Sequence, residues 1–373
     1  MDESKGDLRY WIGLNRVQGI GATRLRALLD YFGDLETAWN APIHDLQQAG
    51  LDKRSLANLV KLRGAIDLEA EVAKVHRLGL QVLTWDDPDY PRSLRQVYNA
   101  PPLLYVRGRL ERRDEWAVAI VGTRQASAYG REATRLLAGG LARAGVTIVS
   151  GMASGVDTEA HRACLEAGGR TLAVLGSGVD VIYPPQNARL AAEIVERGAI
   201  LSDYALGTKP DGVNFPPRNR IVSGLSLGTI VVEADIGSGA LITAGFAAEQ
   251  GRAVLAVPGS ILARGSRGTH RLIQQGARLV ANVTDVLEEL NLTMVSEQAQ
   301  AQATLPENET EAVLLRHIST NPLHVDELGR AVGLPIAQVT STLALMELKG
   351  MVRQVGGMHY VLAREGGVPY VVE

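Results

Sequence analysis

Between residues 116 and 290 the chain alternates short, almost unbroken apolar runs with longer segments whose apolar positions recur at helical spacing. The runs at 118–121, 147–149, 172–175, 200–202, 229–232 and 254–257, with a shorter one at 278–280, predict strands. The segments 129–144, 157–167, 188–197, 239–250 and 269–275 predict helices between them. Strands so uniformly apolar are covered on both faces, and crossover helices make neighbouring strands parallel. The pattern predicts an α/β, Rossmann-like domain with a doubly wound, mostly parallel sheet.

The flanks have a different texture. Residues 1–84 read as small helices, with 14–21 leading into a helix at 22–29 and a second helical run at 53–78. Gly19-Ile20-Gly21 is similar to the hairpin of helix-hairpin-helix modules, whose N–H groups can meet a DNA phosphate; a tight helix–helix turn explains it as well. Residues 85–108, rich in proline and aromatics, read as a connector packed on the main domain, and 109–114 as a solvated charged link. Residues 291–306 have the Gln, Ala, Glu and Thr content of a linker. In 307–373, helices at 309–319, 325–331 and 335–348 precede a hairpin at 351–362 that turns at Gly356-Gly357. The expected domains are therefore a helical SAM/helix-hairpin-helix-like domain (1–84), an extended Rossmann-like domain (85–290), a linker (291–306) and a winged-helix-like domain (307–373). The third helix of that last domain holds no arginine, so an interaction module fits as well as a DNA reader.

Composition narrows the function classes. With 373 residues there is room for several domains, and a net charge of −3 means that any nucleic-acid binding needs a local basic surface. Arginine outnumbers lysine, which favours forked contacts to phosphate or carboxylate. Cys164 is the single cysteine, so no intrachain disulfide or cysteine-based metal cluster forms. The first seven residues lack the order of a secretory signal and no apolar run approaches bilayer length, so the expected location is cytoplasmic, with no membrane partner.

Candidate chemistry gathers at the predicted strand ends. Val121 runs into Gly122-Thr123-Arg124, Val149 into Ser150-Gly151-Met152-Ala153-Ser154-Gly155-Val156-Asp157, and Leu175 into Gly176-Ser177-Gly178. Small residues after a parallel strand let backbone N–H groups approach an anion, and ligands of open α/β sheets bind at these ends. Tight turning alone would also explain each glycine, though three successive loops favour an extended anion site. The stretch 209–220 adds Lys209, Phe215, Arg218, Asn219 and Arg220: cations for phosphates and an aromatic face for an unpaired base, or else internal ion pairs and core. After the strand at 229–232 come Glu233, Asp235, Ser238 and Gly239; the acids suit a ribose hydroxyl, a metal or a pair with Arg220. No Gly-x-Gly-x-x-Gly follows the first strand and no Walker lysine motif exists, so neither a dinucleotide cofactor nor ATP hydrolysis is expected. Asp157 and His161 share a helix face, where capping by Asp157 is a simpler account than metal binding, and Cys164 reads as core.

Taken in order, these motifs resemble the DNA-processing protein A (DprA/Smf) family: Tyr-Pro-x-x-Leu at 90–94, Pro-x-Leu-Tyr at 102–105, Ala-Ile-Val-Gly-Thr-Arg at 119–124, Ser-Gly-x-Ala-x-Gly-x-Asp-x-x-Ala-His at 150–161, Phe-Pro-x-Arg-Asn-Arg at 215–220, Ser-Gly-x-Leu-Ile-Thr-Ala at 238–244 and Val-Pro-Gly at 257–259. His270 stands where the family usually has Asn, and Asp203 where Glu is common. The resemblance implies a non-enzymatic, cofactor-free single-stranded DNA binder that protects incoming DNA and loads the RecA recombinase in natural transformation, as a homodimer through the Rossmann-like domain. Carried over by motif, the DNA contacts would be Gly122, Thr123, Arg124, Ser150, Gly151, Ala153, Gly155, Asp157, Gly176, Lys209, Phe215, Arg218, Asn219, Arg220, Ser238 and Gly239. The alternative is a nucleoside-monophosphate phosphoribohydrolase of the lysine-decarboxylase-like class, whose Pro-Gly-Gly-x-Gly-Thr-x-x-Glu loop is not continued after Pro258-Gly259-Ser260.

Overall fold

The structure is a computed structural model that describes residues 8–293, 295, 308–319, 321–349 and 351–363. It contains two compact units, Met1–Val295 and Ser296–Glu373. Most of the expected linker lies outside the described residues.

The first unit opens with six helices, α1 (Leu8–Asn15), α2 (Ala22–Phe32), α3 (Leu35–Asn40), α4 (Ile43–Gln48), α5 (Lys53–Arg63) and α6 (Leu68–Arg77). The helical run expected at 53–78 is thus two helices, broken at Gly64 and restarted where the Asp67 carboxylate accepts the Ala70 N–H at 3.0 Å. There follow β1 (Gln81–Thr84), the short α7 (Arg92–Arg95) and β2 (Leu103–Gly108). Then come β3 (Ala117–Val121), α8 (Ala128–Arg143), β4 (Thr147–Ser150), α9 (Val156–Glu166), β5 (Thr171–Val174), α10 (Ala188–Arg197) and β6 (Ala199–Ser202). The unit continues with α11 (Phe215–Gly224), β7 (Gly228–Val231), α12 (Gly239–Glu249), β8 (Ala253–Ala256), α13 (Arg267–Gln274), β9 (Arg278–Leu279) and α14 (Val283–Glu289).

All nine strands form one sheet, ordered β1-β2-β6-β5-β4-β3-β7-β8-β9. From β6 to β9 every pairing is parallel, whereas β2 runs antiparallel to β6 and to β1. The stretch expected to be an irregular connector therefore supplies a buried strand, and residues 81–84, grouped above with the helices, form the sheet's edge. Pro101 and Pro102 only delay the strand: the apolar run Leu103 to Val106 that follows has both faces to bury. One face carries α8 and α9 over Val118, Ile120 and Ile148, and the other carries α11 and α12 over Ala119, Val149 and Leu201. The N-terminal helices share a continuous core with α10 and with Tyr105, Ala173 and Ile200. That common core makes helices and sheet one unit. Among the described residues no helix is long and apolar enough to cross a membrane.

The second unit has helices Glu309–His317, Val325–Val332 and Ile336–Leu348, then β11 (Val352–Gln354) and β12 (His359–Leu362). The hairpin turns at Gly356 and Gly357, both at positive φ. An additional two-residue strand, β10 (Leu323–His324), pairs with β12, completing the three-stranded sheet of a winged helix.

Candidate nucleic-acid interface

Strands β4–β6 extend the sheet on one side of β3 and β7–β9 on the other. A crevice opens at such a reversal, beyond the carboxyl ends of the strands. Gly155, at φ 81°, lies so close to the loop after β3 that a Cβ there would come within 2.3 Å of the Thr123 carbonyl oxygen. The Val156 N–H donates to that carbonyl at 3.2 Å, and the Thr123 N–H donates to the Glu233 carbonyl at 2.7 Å. The loops after β3, β4 and β7 are thus joined backbone to backbone. On Gly122, a Cβ would meet Val156 Cγ2 at 2.5 Å, so that glycine serves the same close approach.

The stretch after β4 is built differently from a simple anion cradle. The Asp157 carboxylate accepts the N–H groups of Gly151 and Ala153, each at 3.2 Å, so the chain's own anion occupies two of the expected donors. Asp157 also does not cap its helix: α9 begins at Val156 after Gly155, without a side-chain cap. On the other side of Gly151, Arg218 Nη1 donates to the Gly151 carbonyl at 2.8 Å and also to the Val174 carbonyl. A Cβ on Gly151 would lie 2.6 Å from Arg218 Nη2 and 2.8 Å from Asp157 Oδ2, so cation and carboxylate hold the two peptide groups that flank this residue. Both are buried, at 3% and 6% exposure. Burial lifts the Asp157 carboxyl to about 6 against the opposing pull of Arg218, and burial lowers the Arg218 guanidinium to about 10. Ser150 is also turned inward, its hydroxyl donating to the Ile120 carbonyl at 2.6 Å. Among the described residues no acceptor engages the N–H groups of Ser154, which is exposed, and Gly155, which is half-buried.

Arg124 faces outward. It has no anionic partner among the described residues, and its Cζ stands 5.3 Å from the centre of the Phe215 ring. Phe215 is half-buried, rests against Gly176, where a Cβ would come within 2.9 Å of it, and has Arg218 Cζ 5.9 Å from its centre. Tyr183, which the motifs did not single out, places its ring 5.8 Å from Phe215 at 40% exposure. The signal was an aromatic among prolines in Tyr183-Pro184-Pro185. Asn219 Nδ2 donates to the Gly239 carbonyl at 3.4 Å, tying α11 to the start of α12, where the Ser238 hydroxyl accepts the Ala240 N–H. Lys209 is exposed, without an anionic partner among the described residues; it follows Thr208, whose carbonyl accepts the Gly178 N–H at 3.0 Å.

Arg220 leaves this cluster. It pairs with Asp203 at 2.9 Å, not with Glu233 or Asp235. Glu233 accepts the Ser127 N–H at 2.9 Å, and Asp235 pairs with Arg267 and Arg264. His161 is fully buried, its Nδ1 2.7 Å from the Thr171 hydroxyl, and burial drops it to about 3. Burial lifts the Cys164 thiol to about 12. Among the described residues no cluster of His, Cys, Asp and Glu suits a metal ion.

The model of the family described as DNA recombination-mediator protein A matches residues 81–291, and that of the DprA winged helix domain matches 298–358. Protein Smf of Synechocystis sp. is 35% identical over 94% of this chain and 98% of its own length. The structure of DNA processing protein A (DprA) from Streptococcus pneumoniae superposes with a TM-score of 0.67 at 38% identity, covering 75% of this chain and 97% of that one. DNA processing protein A from Helicobacter pylori, solved for its single-stranded DNA binding mode, gives 0.51 at 31% identity over 57% of this chain and 95% of that one. With the extended Rossmann-like sheet, the ordered strand-end motifs and the winged helix all matched, the chain belongs to the DNA recombination-mediator protein A (DprA/Smf) family.

Proposed function

We propose that the chain binds single-stranded DNA across its strand-end face, without reading sequence. One observation carries this: the exposed Arg124 guanidinium, with no acid beside it, standing over the half-buried Phe215 ring. A cation beside an aromatic face suits a phosphate and its unpaired base, and each stacked base contributes ~1–3 kcal/mol. Lys209 and the Ser154 and Gly155 N–H groups extend the anion contacts, and Tyr183 widens the platform. Ser150, Gly151, Ala153, Asp157 and Arg218 act by holding the face in shape. Gly122, Thr123, Gly176, Asn219, Ser238 and Gly239 set its contour.

Family membership and the binding mode named for the Helicobacter pylori protein support this reading. They also support its extension to protection of incoming DNA, loading of RecA and a homodimer through the Rossmann-like domain. The protein acts as a cytoplasmic recombination mediator rather than an enzyme. The test compares single-stranded with duplex DNA at two salt concentrations, with and without RecA. The logarithm of affinity for the single strand falls against log salt with a slope of ~−0.7 per phosphate neutralised. Arg124→Ala weakens every sequence alike and reduces that slope. Unchanged affinity in a folded Arg124→Ala protein removes the proposal, and release of adenine from AMP by the wild-type chain points instead to the phosphoribohydrolase.

A further inference from the structure

Beside the strand-end face lies a groove of about 730 Å³, between the turn that precedes α2 and the first turn of α11. Gly21, Ala22 and Arg24 line one wall; Pro216, Pro217 and Phe246 line the other, with Arg220 among them. The size is within the range of small-molecule sites, ~300–1,000 Å³. Its surface is mostly apolar. The two arginines on its walls are already committed, Arg24 to Asp52 and the Gly19 carbonyl, and Arg220 to Asp203. A free anion therefore finds little unpaired charge here, whereas a flat apolar group finds proline rings and a half-buried phenyl ring. The groove begins where the proposed DNA platform ends, since Pro216 and Pro217 directly follow Phe215 in α11.

We propose that this groove takes a base of the same single strand as it runs on past Phe215, seated against Phe246 and the Pro216-Pro217 edge. The Gly19-Ile20-Gly21 turn then serves DNA binding as the outer wall of a base slot rather than through a phosphate on its N–H groups. This inference rests on the reading of the strand-end face as a single-strand site and lengthens that site toward the N-terminal helices. Oligonucleotides too short to reach beyond Phe215 bind only the platform, and longer ones gain the slot.

The experiment measures fluorescence anisotropy of labelled oligothymidylates from about four to about twenty nucleotides, a span that brackets known single-strand site sizes. Phe246→Ala should cost long oligonucleotides about 5- to 150-fold in affinity, the equivalent of one lost stacking contact, and leave the shortest unchanged. Because Phe246 also touches protein, Gly21→Leu gives an independent arm. Apart from its chain neighbours, nothing lies within 4 Å of a Cβ at position 21, and its φ of −106° suits an L-residue, so the leucine starts into open space and narrows the groove. It should abolish the same length-dependent gain. Photo-cross-linking of an oligonucleotide carrying 5-iodouracil should label the peptide that contains Phe246. If both variants match wild type at every length while Arg124→Ala weakens all of them, the groove is not part of the site. If Arg124→Ala also has no effect, the strand-end reading itself fails.

Discussion

Arg124 and Arg218 look equivalent along the chain, and the structure assigns them opposite roles, which Arg218→Ala tests. The substitution takes the donors from the buried carbonyls of Gly151 and Val174 and leaves the Asp157 carboxylate, at 6% exposure, without the Arg218 charge. Each orphaned carbonyl costs ~1–3 kcal/mol, and Asp157, which makes no direct ion pair with Arg218, loses only the longer-range pull of its charge. These terms overlap because the groups cluster around Gly151, so the expected loss is about 2–5 kcal/mol in total. With a urea slope of ~1–3 kcal/mol/M, the midpoint of the first unit's unfolding moves down by about 1–5 M. Arg124→Ala, at an exposed site, should stay within ~0.5 kcal/mol of wild type. Urea unfolding followed by circular dichroism, with DNA affinity measured on the same preparations, separates the two. If Arg218→Ala unfolds at the wild-type midpoint yet loses DNA affinity as Arg124→Ala does, Arg218 contacts the ligand and the account of the Gly151 peptide is wrong.

Two further outcomes follow from the same peptide geometry. Gly155→Ala forces a positive φ on an L-residue and drives its Cβ to 2.3 Å from the Thr123 carbonyl, a backbone contact with no side chain to yield. Thermal unfolding should show a loss of at least ~1–3 kcal/mol, and a wild-type melting curve would contradict the stitched-loop description. Asp157 holds its proton more tightly folded than unfolded, with a folded value of about 6 against an ordinary 3.8. Its titration therefore favours the folded state below pH 3.8, and that contribution is lost as pH rises through about 6. Asp157→Asn should remove this slope from the stability profile between those two values, and an identical slope in the variant would assign the titration elsewhere.

Much of the central domain was legible because its signals are local. Uniform apolar runs place the parallel strands to within about a residue, and Gly or Ser after three of them marks the turn into a helix. Arg124, Phe215 and Lys209 could be named because a cation or ring in a strand-end loop has chemistry whatever surrounds it. What the chain alone left undecided depends on partners distant in sequence. Leu103 to Val106 becomes a sheet strand only because β6 offers it an edge, and the two-residue β10 is shorter than any periodic signal. Residue type likewise says nothing about which way a charge points. Arg218 turns into the core because the carbonyls of Gly151 and Val174 await it there, and Asp157 turns back because Gly155 adopts a φ that starts the helix at Val156. The sequence by itself determined the α/β class and where the strand-end loops fall. Tertiary structure decided which of those charges face solvent at the strand ends and which hold the loops, because burial and hydrogen-bond partners arise only when separate strands converge.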